Sequence, residues 1–274
     1  MKTEDLQAYQ DIISSTYNIR SGSYDERMWH KKVAIRLVEE LPVTEGHHVL
    51  DVATGTGTIA FHTAALIGSS GKAIGVDLSE KMIARANEKI PASKLGNIEF
   101  LLADAENLDF PANSFDRIFC ASAFFWILNP VATLKHWHDL LKPGGSLGFH
   151  ALPNTSYIWV SVAQRVLDNY DIPYTLNRST GSVEKSHRLL TEAGYKNIVI
   201  REEQLGQFIT LDYAKSMWLT KGSFAPGQYP HPLHDAPAEI LSQARQEYDV
   251  IMEELNTEQG IWNDLTMYYI YAEK

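Results

Sequence analysis

Cysteine is nearly absent. Cys120 is the only one in 274 residues, so the chain forms no internal disulfide and no cysteine-based metal cluster, and a reducing, cytoplasmic setting is expected. Long apolar runs are missing too: no stretch reaches the roughly eighteen apolar residues of a membrane span. The opening Met1-Lys2-Thr3-Glu4-Asp5 lacks the basic-then-apolar order of a secretory signal. Positive charge is scarce as well, with 24 Lys and Arg against 34 Asp and Glu, a net −10. The basic residues form no run of five, which works against partners bound through their phosphates, so neither nucleic acid nor membrane is an expected partner. Internal repeats and low-complexity tracts are absent. What is present is 45% hydrophobic and 21% charged, the composition of a soluble globular protein. The length suits one large α/β domain with insertions, as a monomer or homodimer acting on a small molecule.

Hydrophobic periodicity organises the chain. Residues 4–20 read as a polar helix with Leu6, Tyr9, Ile12 and Ile13 as its apolar stripe, and 29–41 as a second helix. An apolar run at 48–52 reads as a buried strand entering a glycine-rich turn and a helix over 58–67. Strands at 72–77 and 98–102 flank a helix capped by Ser79, and strands at 117–121 and 146–150 flank a helix over 130–141. After an irregular stretch come a helix at 182–193, a strand at 197–202 and, after a helical, aromatic segment broken by Pro226, Pro230, Pro232 and Pro237, a final strand at 266–272. These seven strands alternating with helices predict a Rossmann-like, doubly wound, mostly parallel seven-stranded sheet with helical cap insertions. The expected division is an N-terminal helical segment at 1–45 over the cofactor site, a cofactor-binding core at 46–152 and an insertion at 153–181. A core helix and strand at 182–202, a helical cap at 203–262 and the last core strand at 263–274 complete it.

The turn Asp51-Val52-Ala53-Thr54-Gly55-Thr56-Gly57 lies between strand and helix, where glycines let the backbone approach a ligand closely. A dinucleotide fingerprint needs G-x-G-x-x-G; here only Gly55 and Gly57 stand, and Asp51 before them would repel a pyrophosphate. A carboxylate there suits a cationic amino-acid group instead, directly or through water. About twenty positions on, Asp77 ends the second strand, the place of a carboxylate that binds ribose hydroxyls. The alternative is that Asp77 only caps the helix starting near Ser79.

These residues resemble class I S-adenosylmethionine-dependent methyltransferases, especially the small-molecule branch that includes the ubiquinone and menaquinone biosynthesis methyltransferases. The resemblance rests on Val49 to Gly57, on Asp104-Ala105-Glu106, on Ser114-Phe115-Asp116 and on Leu141-Lys142-Pro143-Gly144-Gly145, four motifs in order over 48–150. The departure is Ala53, where many relatives have a glycine. The resemblance implies S-adenosylmethionine as cofactor and methyl transfer as activity. It implies that Asp51 and the Gly55 and Gly57 backbone hold the methionine part, with Ala53 and Thr54 in the same turn. Asp77 would take the ribose and Asp104 the adenine amino group, with Ala105 stacked nearby and Leu78 and Met82 bordering the ring. Tyr17 would come over the cofactor from the N-terminal helix, and Ala121 begins the loop that faces the sulfonium and the acceptor.

Methyl transfer is an in-line displacement at a cationic sulfur, so alignment and exclusion of water carry much of it. A hydroxyl acceptor would gain from a general base, and a carboxylate would need none. His150, at the carboxyl edge of the fifth strand, is the first candidate, with a structural histidine as the alternative; Trp126 is the second catalytic candidate, its ring face suited to a sulfonium. Of the other histidines considered, His30 carries no further indication. His136 and His138 lie two apart on a helix and are expected to face solvent. His231, His234 and Asp235 lie in a proline-rich loop without a third distant ligand, so no metal is expected. Cys120 reads as a small buried hydrophobe. Tyr17, Tyr24, Trp29, Phe124, Phe125, Trp126, Tyr157, Trp159, Trp218, Phe224 and Tyr229 could wall an apolar acceptor pocket or simply pack the cap. Arg20 could meet the cofactor carboxylate or lie on the surface.

The acceptor expected from the aromatic insertions is an aromatic or quinone-like metabolite, methylated on oxygen or carbon. The alternatives are a small amine or carboxylate, a non-catalytic cofactor-binding scaffold, and a nicotinamide-dependent oxidoreductase, against which the missing third glycine speaks.

Overall fold

The computed structural model describes residues 3–26, 28–174, 177, 179–219, 227–229 and 231–274. Phe224, Pro226 and Pro230 lie outside the described residues. Helices α1 (Thr3–Arg20) and α2 (Met28–Glu40), joined by a 3-10 turn over Ser21–Glu26, precede the alternating core. The core runs through β1 (His48–Val52), α3 (Thr58–Leu66), β2 (Lys72–Asp77), α4 (Glu80–Ser93), β3 (Ile98–Leu102), β4 (Phe115–Cys120), α5 (Pro130–Leu140) and β5 (Leu141–Ala151). There follow α6 (Ile158–Asp168), α7 (Val183–Glu192), β6 (Lys196–Glu203), β7 (Gly206–Ile209), α8 (Leu211–Ser216), α9 (Ala238–Leu255), β8 (Ile261–Asp264) and β9 (Met267–Glu273).

One seven-stranded sheet has the order β3-β2-β1-β4-β5-β9-β6. The first five of these are mutually parallel, and β9 enters antiparallel between β5 and β6. Parallel strands carry helices on both faces and so lose their polar side: Leu50, Val52, Ile118 and Leu147 are fully buried, each worth roughly 1.5–3 kcal/mol of burial. Chain order reverses beside β1, between β2 and β4, which is where open α/β sheets place their ligands. Local chemistry sets the helix starts around that point. Ser79 caps α4 by accepting from the Met82 amide at 3.2 Å, and Pro130 occupies the first turn of α5, where its missing N–H costs nothing.

Two expectations about the periphery need correction. The segment 203–262 is not wholly helical: β7 and β8 form a separate two-stranded antiparallel sheet whose register pairs Gly206 with Asp264. His136 and His138 are half-buried rather than simply facing solvent. His136 Nε2 lies 2.9 Å from the Leu108 carbonyl oxygen, and His138 packs edge-on against Tyr195, with ring centroids 5.1 Å apart. No helix among the described residues is long and apolar enough to cross a membrane.

Candidate functional site

At the carboxyl edge of β1, β2 and β4, beneath α1, lies a partly open cavity, where open α/β sheets place their ligands. Its floor is the turn after β1. Ala53 takes a φ of 54° and Gly55 one of 57°, both in the left-handed region. The alanine therefore follows the path a glycine would take, at a steric cost of about 1 kcal/mol. The Gly55 amide donates to Asp77 Oδ2 at 2.8 Å and the Ser79 amide to Asp77 Oδ1 at 2.9 Å. Asp77 thus ties the glycine turn to α4, and both oxygens keep a lone pair for a ligand. Burial raises its carboxyl pKa, opposed by the amides of Ser79, Gly55 and Leu78.

Asp51 stands one layer back. It is 2% exposed, accepts from Thr54 Oγ1 at 2.5 Å and the Ala60 amide at 3.1 Å, and does not reach the cavity wall. Burial lifts its pKa to about 7 against those two hydrogen bonds, and the Asp77 charge adds to the rise. Gly57 also lies behind the wall: at φ 92°, a Cβ there would stand 2.6 Å from the Phe100 ring. Thr54 and the fully buried Met82 are likewise off the wall. Asp51, Thr54, Gly57 and Met82, expected at the cofactor, thus lie behind the lining of the cavity.

The remaining eight predicted cofactor residues, Tyr17, Ala53, Gly55, Asp77, Leu78, Asp104, Ala105 and Ala121, line the cavity, as does Trp126. Asp104 accepts from Glu106 N at 3.0 Å and from Gln10 Nε2 at 2.9 Å. Glu106 in turn accepts from the amides of Leu128 and Asn129 at 2.8 and 2.9 Å, fixing the loop after β4. The Ala105 carbonyl is held by Trp137 Nε1 at 2.9 Å.

The roof is one face of α1. Leu6, Tyr9, Gln10, Ile13 and Tyr17, spaced three and four apart, line the cavity, as residues on one helical stripe do. Tyr9 donates its hydroxyl to the Trp126 carbonyl at 2.7 Å and accepts from the Gly227 amide at 2.8 Å. Trp126 Nε1 donates to the Tyr17 hydroxyl at 3.0 Å. Asn18 Oδ1 accepts from Ser79 Oγ at 2.6 Å, fastening the end of the helix. The Tyr17 ring lies edge-on to Trp126 and Tyr24, at 6.0 and 6.4 Å, and Tyr24 covers Gly55. Burial raises the Tyr17 and Tyr24 pKa values, so both phenols stay neutral. Arg20 sits over the Tyr17 ring at 5.0 Å and is not on the wall.

His150 does not reach the cavity. It is 0% exposed, and burial followed by the charge of His30 lowers its pKa to about 3, so the ring is held neutral. Between it and the cavity stands Ser122, whose Oγ is 3.4 Å from His150 Nδ1. Trp29 packs on His30 and His150. Phe124 lies on Phe149, and Phe125 against Trp126. Tyr157 packs against Trp159, Trp218 against Tyr248, and Tyr229 against Tyr9. Of the aromatics expected to wall a pocket, Tyr17, Tyr24 and Trp126 do so, and the cap aromatics mostly pack the cap. His231 Nδ1 accepts from the Leu233 amide, and His234 pairs with Asp235 at 2.8 Å in an exposed loop. Among the described residues no group of three His, Cys, Asp or Glu could hold a metal. Sequence reasoning missed Tyr9, Gln10, Glu106 and Cys120 as wall residues, whereas Ser122 lies in the loop from Ala121 to Trp126 that is expected to face the acceptor. The stripe through Leu6, Tyr9 and Ile13 was the available signal for the roof.

Residues 49–145 match the family described as a methyltransferase domain. The malonyl-[acyl-carrier protein] O-methyltransferase of Marinomonas sp. is 34% identical over 170 residues, 61% of this chain and 62% of that protein, so the chain spans under two thirds of that relative's length. The ubiquinone/menaquinone biosynthesis C-methyltransferase of Coxiella burnetii is 28% identical over 197 residues, 70% of this chain and 76% of that one. A solved phosphoethanolamine N-methyltransferase 2 of Haemonchus contortus, in complex with S-adenosyl-L-methionine, shares the fold at a TM-score of 0.54 and 18% identity, covering 88% of this chain and 52% of that one. With its four ordered motifs, its sheet order and a cavity at the point where that order reverses, the chain carries a methyltransferase domain over 49–145 and resembles the class I S-adenosylmethionine-dependent methyltransferases, the ubiquinone and menaquinone biosynthesis enzymes among them.

Proposed function

We propose that the chain methylates a small organic acceptor, aromatic or quinone-like, on oxygen or carbon. The observation that carries this reading is the cavity itself, with carboxylates and glycine backbone on one wall and Tyr9, Tyr17, Tyr24 and Trp126 on the other. S-adenosylmethionine bound there supplies a methyl group on a sulfonium. Asp77 accepts from the ribose hydroxyls with the lone pairs that the Gly55 and Ser79 amides leave open. Asp104 accepts from the adenine amino group, Leu78 and Ala105 flank the ring, and Ala53, Gly55 and Ala121 face the methionine part and the sulfonium. Asp51 acts through the turn it anchors, by way of Thr54 and Ala60. The rings of Tyr17, Tyr24 and Trp126 offer π faces to the cation and exclude water.

The relative that methylates a malonyl carboxylate favours a second acceptor class, a small carboxylate. The aromatic roof favours the first. Titration calorimetry with S-adenosylmethionine, S-adenosylhomocysteine and NAD tests the cofactor. Both sulfur ligands bind, NAD does not, and Asp77→Asn, which keeps an acceptor for the Gly55 amide, loses about tenfold in affinity. Failure of both sulfur ligands to bind overturns the reading. Methyl transfer to naphthohydroquinones against short dicarboxylates then separates the acceptor classes.

A further inference from the structure

The geometry points to Ser122 as the residue that receives the hydroxyl of the acceptor, with His150 positioning it from behind. The inference deepens the aromatic-acceptor reading and rests on it. Ser122 follows β4 at the sheet edge and lines the cavity. Its φ of 55° lies in the left-handed region that serine seldom adopts. The other non-glycine residue on the wall with such a φ is Ala53, at the end of the neighbouring strand β1. Backbone held in that region is a mark of positions that fold and function over-determine.

His150 lies behind Ser122 on β5, with Nδ1 3.4 Å from Ser122 Oγ and Nε2 fully buried without a hydrogen-bond partner. The rings of Trp29 and Tyr269 stand 5.8 and 6.0 Å from it, Trp29 nearly perpendicular at 79°. The proposed pair has the neutral imidazole with its hydrogen on Nε2, the tautomer in which Nδ1 accepts the Ser122 hydroxyl hydrogen. With its own hydrogen committed to His150, Ser122 Oγ presents only lone pairs to the cavity. It selects an acceptor that donates there, an aromatic O–H, over one that cannot.

Two measurements test this. Calorimetry on protein saturated with S-adenosylhomocysteine compares 1,4-naphthohydroquinone with 1,4-dimethoxynaphthalene, which lacks the O–H. The hydroquinone binds at least about fivefold tighter, and Ser122→Ala, with an unchanged melting temperature, reduces that ratio to near one. An undiminished ratio in Ser122→Ala overturns the proposal. Nitrogen-15 correlation spectra of the histidine rings, with His150 assigned through His150→Phe, show the hydrogen on Nε2 and a shift of Nδ1 in Ser122→Ala. A hydrogen on Nδ1 overturns the proposal whatever the ligands do. If neither naphthalene binds, it is the aromatic-acceptor reading that falls, while the ring tautomer still decides the Ser122–His150 pair.

Discussion

The two walls of the cavity are built by different physics. The sheet wall is set by the core: Ala53 and Gly55 turn the chain after β1 with positive φ, and the Asp77 carboxylate at the end of β2 holds the Gly55 and Ser79 amides. The roof is side chain: one helix, α1, lays Tyr9, Gln10 and Tyr17 on the opening and is fastened by a handful of hydrogen bonds to Trp126, Asp104 and Gly227. A wall made of core backbone is as stable as the whole domain, whereas a docked helix opens at the cost of its own contacts. The cofactor side is thereby preorganised, and the roof is the part that can admit and release ligands.

The comparison breaks most sharply at Gly57. Its φ is 92°, and a Cβ at this position would stand 2.6 and 2.9 Å from the Phe100 and Phe61 rings. Gly57→Ala therefore combines left-handed strain with overpacking, about 2–5 kcal/mol together. Urea unfolding should show the loss as a lower midpoint with an unchanged slope. A loss under about 1 kcal/mol would mean that the turn yields and the sheet wall is not rigid.

Asp51 gives the next largest effect, and its sign is set by burial. Its folded pKa of about 7 lies above the roughly 3.9 of an unfolded aspartate, so the folded state keeps a proton that the unfolded chain releases. The stability this group contributes is complete below about pH 4 and is lost as pH rises towards 7. Asp51→Asn cannot lose it and keeps an acceptor for Thr54 and Ala60. The variant should therefore gain on the native protein between about pH 5 and pH 8, by an amount of the order of a few kcal/mol, read from urea midpoints at the two pH values. A difference that stays flat shows Asp51 ionised throughout.

The same contrast explains what could be read from the sequence. The parallel strands are coded locally, because burial on both faces turns them into apolar runs, and the acidic residues Asp51, Asp77 and Asp104 mark their ends. The range 72–77 and the range 98–102 match β2 and β3 residue for residue. What each marker touches is tertiary. The sequence could not tell that Asp51 Oδ2 accepts from both Thr54 and Ala60, or that Met82 is buried in the core. The roof is legible as an apolar stripe on a helical segment expected over the cofactor site, although the partners that fasten it are tertiary. β7 and β8 were not legible, because they are four-residue strands about fifty positions apart whose pairing no local pattern announces. His150 reads as a base because it ends a strand at the ligand edge; only the packing of Trp29, Tyr269 and Ser122 around it shows that it lies behind the wall.

The smallest effect belongs to the roof and sharpens the comparison from the other side. Tyr9→Phe keeps the ring, which is 5% exposed, and removes the hydroxyl that joins the Trp126 carbonyl to the Gly227 amide. Leaving those two groups without their partner costs about 1–2 kcal/mol, and because α1 is docked rather than woven into the sheet, the cost falls on local opening. Amides of α1 should exchange about tenfold faster while those of β1 and β4 keep their protection, and the affinity for S-adenosylhomocysteine should weaken several-fold with an almost unchanged urea midpoint. If β1 and β4 lose protection in step with α1, the helix is part of the cooperative core, and the division between a backbone wall and a docked roof does not hold.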